Sequence, residues 1–116
     1  MAELRIEGDE LVVELSALER LGGFHGDVHA PLSAVRAVRV AEDPRPELRG
    51  IRAPGTGIPG LIALGSRRGA GHDFVAVYHE APAVVVELQG AEFDRLVITV
   101  HDPQAVAAAV RAAAGL

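Results

Sequence analysis

A chain of 116 residues is long enough to bury a core of its own and short enough to be one domain, 1–116. It contains no cysteine, which removes disulfide frameworks, Cys-type zinc sites and thiol nucleophiles together, and its 3% aromatic content leaves few platforms for stacking bases or sugars. The net charge of −5 opposes nucleic acid and anionic membranes, and no apolar run approaches the ~18 residues of a membrane span.

The charge is uneven. Residues 1–44 sum to −5, residues 45–71 to +4 and residues 72–116 to −4, and all eleven basic residues are arginine. The opening MAELRIEGDE is acidic and alternating, unlike a signal peptide, so a cytoplasmic protein is the expectation. Leu4 and Ile6 alternate with charged residues, Gly8-Asp9 supplies a turn, and Leu11, Val13 and Leu15 continue the alternation. That pattern predicts a β-hairpin with one buried face. Ser16 with Glu19 three residues on has the spacing of a capping box, and Gly22-Gly23 stops the short helix that it opens.

Strand character returns from Phe24 to Leu32 and again from Val35 to Ala41. His25, Asp27 and His29 share one face of an extended strand, where two imidazoles and a carboxylate invite comparison with a zinc site. Residues spaced by two on a strand lie ~6.5 Å apart, too far for three of them to reach one ion at ~2 Å comfortably. A polar, solvent-facing strand side with no metal is therefore expected.

The stretch RGIRAPGTGIPGLIALGS, residues 49–66, is the most distinctive in the chain. Gly55, Gly57 and Gly60 match GxGxxG, but the dinucleotide fingerprint needs a strand before it and a helix after it, and here an apolar strand-like run follows. A phosphate loop needs a lysine, and none is present. Pro54 and Pro59 with the glycines define a path rather than a floppy linker, and a loop of such length is commonly functional. Arg49, Arg52, Thr56, Arg67 and Arg68 form the candidate ligand-binding set, able to meet a carboxylate or phosphate through bidentate hydrogen bonds. Two plainer readings stand beside it: the arginines are solvated or pair with acids of neighbouring strands, or the loop covers an open sheet edge.

Gly65 to Gly71 reads as a polar hairpin turn with two arginines at its tip. Three alternating strands follow, around Phe74–Tyr78, Val84–Leu88 and Leu96–Val100, and are expected to form an antiparallel meander. Asp102 as N-cap and Pro103 at the first helical position open an Ala-rich helix to Ala114, with Val106, Val110 and Ala113 as its apolar stripe and Gly115 as its stop.

The stretches RGIRAPGTGIPGLIALG, DFVAVYHEAPAVVVELQG and RLVITVHDPQAVAAAV resemble those of small bacterial pleckstrin-homology-like domain proteins of unassigned function. The resemblance implies a mainly β fold: a partly open barrel of seven to eight antiparallel strands in two near-orthogonal sheets, capped by a C-terminal helix over 102–114. It also implies a non-enzymatic binding or assembly module without cofactor, whose partner is an unknown protein or a second copy of the chain. A small anionic ligand at the 49–60 loop is compatible with this, as is the alternative of a small enzyme or anionic-metabolite binder using that loop. Lipid-binding members carry a basic cluster in the first hairpin, where this chain has Glu7-Gly8-Asp9-Glu10, so lipid binding is not carried over. An enzyme is disfavoured by the missing Cys and Lys and by the lack of a nucleophile turn or paired carboxylates.

Overall fold

The computed structural model describes residues 1–23, 26–49, 51–52, 61–78 and 81–116, and of 22, 23, 51, 52, 61 and 62 the backbone only. Its elements are β1 (Glu3–Glu7), β2 (Glu10–Glu14), α1 (Ala17–Gly23), β3 (Val28–Pro31), β4 (Val35–Ala41), β5 (Ile51–Arg52), β6 (Leu61–Arg68), β7 (His72–Tyr78), β8 (Ala83–Leu88), β9 (Arg95–Ile98) and α2 (Pro103–Ala114). Single 3-10 turns at Leu32–Ala34 and Arg45–Glu47 lead into and out of the β4 region.

The expected mainly β architecture with two sheets and a C-terminal helix is present. One sheet has the order β1-β2-β3 and the other β4-β8-β9-β7-β6-β5, and the two are not closed into a barrel. The strands among the described residues number nine, more than the sequence pattern suggests, because the short β5 adds to the count. The principal core lies between the sheets and α2, where Leu11, Val13, Val28, Phe74, Leu96, Ile98 and Val110 meet.

The expected meander is replaced by a different order. Strand β9 lies between β7 and β8, antiparallel to β8 and parallel to β7. Alternation reports that a segment is a strand and leaves open which strand it pairs with. What the sequence does carry is burial on two faces. Strands β7, β8 and β9 hold the polar-free runs Phe74–Val77, Ala83–Val86 and Leu96–Ile98, all buried, and these are three adjacent interior strands. Their second faces form a separate cluster of Ala41, Ala63, Val75, Val77, Ala83, Val85 and Val97, against which Leu48 packs.

Locally, the hairpin and helix ends follow the expected chemistry with two corrections. Gly8 turns β1 into β2 at φ 60°. The capping box at α1 is formed: the Ser16 N–H donates to Glu19 Oε1 at 2.8 Å and the Glu19 N–H donates to Ser16 Oγ at 3.2 Å. Glu19 is fully buried, and its Oε2 accepts the Tyr78 hydroxyl at 2.9 Å, which ties α1 to the end of β7. At α2, Asp102 occupies the N-cap position in a left-handed conformation (φ 51°) and makes no side-chain cap bond; its carbonyl accepts the Val106 N–H at 3.1 Å instead. The apolar stripe runs through Val106, Ala107 and Val110, while Ala113 is exposed. Burial follows the i, i+3, i+4 face that meets β4 and β8, and Ala113 falls off it. Arg111 secures the last turn by donating Nε–H to the Val38 carbonyl at 2.9 Å. Among the described residues of the expected Phe24 to Leu32 strand, β3 takes only Val28–Pro31, with Gly26 and Asp27 before it and Leu32 in a 3-10 turn; Phe24 lies outside the described residues.

Two outcomes follow for stability. Val110→Asp places an unpaired charge in the core and costs at least ~3 kcal/mol in urea unfolding, whereas Ala113→Asp, at an exposed position, stays within about 0.5 kcal/mol of the parent. Desolvation and the hydrogen bond to Glu19 push the Tyr78 hydroxyl up to about 12. A raised folded-state value contributes stability that is complete below pH ~10 and is lost as the pH rises through the folded value. Unfolding followed from pH 9 to 12 therefore shows an alkaline decline that Tyr78→Phe flattens, at the expense of stability near neutrality through the lost donor to Glu19.

Candidate functional site

Two of the candidate arginines, Arg49 and Arg67, meet on the outer face of the larger sheet, at the end where β7 and β9 begin and β8 finishes. Strand register lines up Glu87, Arg95, Asp73, Arg67 and Arg52 as successive neighbours across β8, β9, β7, β6 and β5. The row alternates in sign from Glu87 to Arg67 and then places two arginine positions side by side. Alternation suits cross-strand packing, and like charges at directly opposed positions oppose it.

A short segment before the Gly/Pro stretch lies over this row. Glu47 accepts Arg39 Nη2 at 2.6 Å and stands 3.6 Å from Arg95 Nη1. Arg95 donates Nε–H to Glu87 at 3.0 Å, and Arg39 reaches the same carboxylate at 3.4 Å. The Arg39 hydrogen bond, with the nearby charge of Arg95, holds the Glu47 carboxyl below the usual carboxylate range. Leu48 sits on the apolar cluster of the outer face, and Arg49 then grips Asp73 with both arms of its guanidinium, Nε–Oδ2 at 2.6 Å and Nη2–Oδ1 at 3.0 Å. Asp73 is only 1% exposed, so this bidentate pair neutralises a buried carboxylate. Gly71 permits the close approach: a Cβ there would lie 2.9 Å from both Arg49 Nη2 and Asp94 Oδ2.

The five sequence-predicted residues thus separate. Arg49 is committed to Asp73 and serves as a structural clasp. Arg67 is half-buried beside it, donating Nε–H to the Arg49 carbonyl at 3.2 Å, with no carboxylate in ion-pair range among the described residues. Arg68 is exposed at the next position of β6, opposite His72, and so points to the other side of the sheet from Arg67. Arg67 and Arg68 belong to the β6 strand, and the turn beyond them is residues 69–71, which corrects their expected place at the tip. The Arg52 backbone pairs opposite Arg67, and Thr56 lies outside the described residues.

The acids Asp73, Glu47 and Glu87 and the arginines Arg39 and Arg95 are members that sequence reading missed. A signal for them exists: Asp73 and Arg95 each stand immediately before a polar-free run, and Glu87 follows one. In antiparallel neighbours, the end of one such run aligns with the start of the next.

The histidine-rich stretch holds no metal-binding group among the described residues. Asp27 accepts the Leu15 N–H at 3.0 Å and Arg20 Nη2 at 2.9 Å, contacts that lower its pKa, the backbone bond most. His29 is an exposed strand residue 3.5 Å from Glu10, and His25 lies outside the described residues. Among the described residues no helix is long and apolar enough to cross a membrane. Comparison with protein-family models, curated proteins and solved structures finds no match to this chain.

Breaking the clasp separates structure from binding. Arg49→Ala leaves Asp73 buried without its charge partner and destabilises the fold by about 2–4 kcal/mol, and Arg49→Lys recovers only part of that loss because an ammonium lacks the planar fork. Asp73→Asn in the Arg49→Ala background recovers stability in the double mutant, since the orphaned charge is removed; chemical denaturation of the four proteins measures the cycle.

Proposed function

We propose that this chain is a non-enzymatic binding module whose contact surface is the arginine-rich end of the outer sheet face, where Arg49 and the Arg52 position flank Arg67 at the root of the 49–60 loop, and that the group it recognises there is anionic. The observation that carries this reading is the surplus cation in the charge row. Glu47, Glu87 and Asp73 are each engaged by Arg39, Arg95 or Arg49, while Arg67 has only a backbone carbonyl as partner among the described residues and faces another arginine position in register. A carboxylate or phosphate set between the two relieves that like-charge opposition.

The pleckstrin-homology-like resemblance supports a binding role through two sheets and a terminal helix. The parallel β7–β9 pair and the open sheets set the chain apart from a plain antiparallel barrel, so the broad class of binding module is what we carry over, and no lipid site.

Thermal unfolding in the presence of inorganic phosphate, citrate and a polyphosphorylated inositol tests the site. At saturation a specific anion raises the melting temperature by ~5 °C or more, and added sodium chloride weakens the effect. Arg67→Gln abolishes the shift while changing the ligand-free melting temperature little. Should no anion move the parent protein, or should Arg67→Gln respond as the parent does, the outer face is a structural cover and the reading fails.

A further inference from the structure

We propose that β1 is a docking edge for an extended peptide of alternating basic, apolar, acidic, apolar and basic residues, added as a further antiparallel strand to the smaller sheet. The hairpin turn fixes which backbone groups are on offer. Glu7 pairs with Glu10 across the two-residue turn Gly8-Asp9, so Glu7, Arg5 and Glu3 exchange ladder bonds with β2, and the N–H and C=O groups of Leu4 and Ile6 point away from it. Strand β1 pairs with β2 alone, and neither Leu4 nor Ile6 makes another backbone hydrogen bond among the described residues. The other edges are less available: β3 ends in Pro31, β5 is two residues long, and the Val38 carbonyl of β4 is taken by Arg111.

Side chains define the occupant. Glu3, Arg5 and Glu7 line one face of β1 and Leu4 and Ile6 the other, with Ile6 left 41% exposed. A strand opposite them is matched by basic, acidic and basic residues on the first face and aliphatic residues on the second. Beside Leu4 opens a cleft of about 210 Å³ lined by Glu3, Leu4, Val100, His101 and Val106, smaller than the sites that enclose whole small molecules and suited to one aliphatic side chain. The peptide residue opposite Leu4 projects to that side. Backbone bonds to the edge supply affinity and the cleft and charge pattern supply selectivity. A second copy of β1 is a poor occupant, because the fully overlapped antiparallel register sets Glu3 against Glu7 twice and Arg5 against itself.

A fluorescent peptide containing Arg-Val-Asp-Leu-Arg, titrated with the full chain and followed by anisotropy, tests this. Expected are saturable binding to the parent, at least about tenfold weaker binding of the charge-swapped Glu-Val-Arg-Leu-Glu peptide, and a similar loss when the Val and Leu amides are N-methylated, since these face Ile6 and Leu4. N-methylation of the Asp amide, which faces away, changes affinity by less than about threefold. Ile6→Pro removes an outward N–H that the fold does not use and abolishes binding. The methylated peptides leave the protein unaltered, so the test stands even if that variant folds poorly. Absence of binding at millimolar peptide, equal binding of both charge patterns, or indifference to the position of methylation overturns the proposal. So does a concentration-dependent dimer in sedimentation that Ile6→Pro dissolves, which makes a second copy the occupant.

Discussion

The architecture rests on covering a sheet that is apolar on both faces. Strands β8, β9 and β7 present buried side chains to α2 and the smaller sheet on one side and a second cluster of valines and alanines on the other. A single helix and three short strands cover only the first side. On the second, Leu48 lies on the valines while Glu47 and Arg49, on either side of it, bind charged residues at the strand ends. The Arg49–Asp73 pair is what makes that cover definite in position. An ionised carboxylate at 1% exposure without a partner is strongly destabilising, so Asp73 fixes where Arg49, and with it the root of the Gly/Pro stretch, must sit.

Much of this was legible in the sequence. The alternation at β1, β2 and β4, the capping box at Ser16 and Glu19, and the Pro103–Ala114 helix are local matters, decided by neighbours within a few residues. The order of strands was not, because the pleat assigns faces and says nothing of partners, and consecutive strands are adjacent only about two-thirds of the time. The polar-free runs at Phe74–Val77, Ala83–Val86 and Leu96–Ile98 do distinguish interior strands from edges, and they account for the insertion of β9: a strand with two apolar faces has no stable place at an edge.

The candidate site was half legible for a related reason. A local excess of arginine between residues 45 and 71 is visible in composition, and one plain reading of it, pairing with acids of neighbouring strands, holds for Arg49. Which arginine is paired depends on register, and register is a long-range property. Asp73 stands opposite Arg67 in the ladder, yet it is Arg49, from a different segment, that takes its carboxylate. Arg67 is thereby left with a backbone partner and becomes the informative residue of the five.

The two proposed surfaces differ in physical kind, and the difference follows from where each lies in the fold. The outer face of the larger sheet is already crossed by a segment of the chain itself, its backbone groups are used in ladders, and what remains to recognise a ligand is charge at one corner. At β1 the reverse holds. Arg5 stands 2.6 Å from Glu7 and 3.2 Å from Glu14, so charge is partly compensated along the strand, and the edge adds unpaired backbone with an apolar cleft beside it. Charge at a corner recognises a compact anion and is sensitive to salt; an open ladder recognises an extended chain and is sensitive to a single methyl group on an amide. The two proposed sites draw on separate groups on separate sheets, so occupancy of one would leave the groups of the other unchanged.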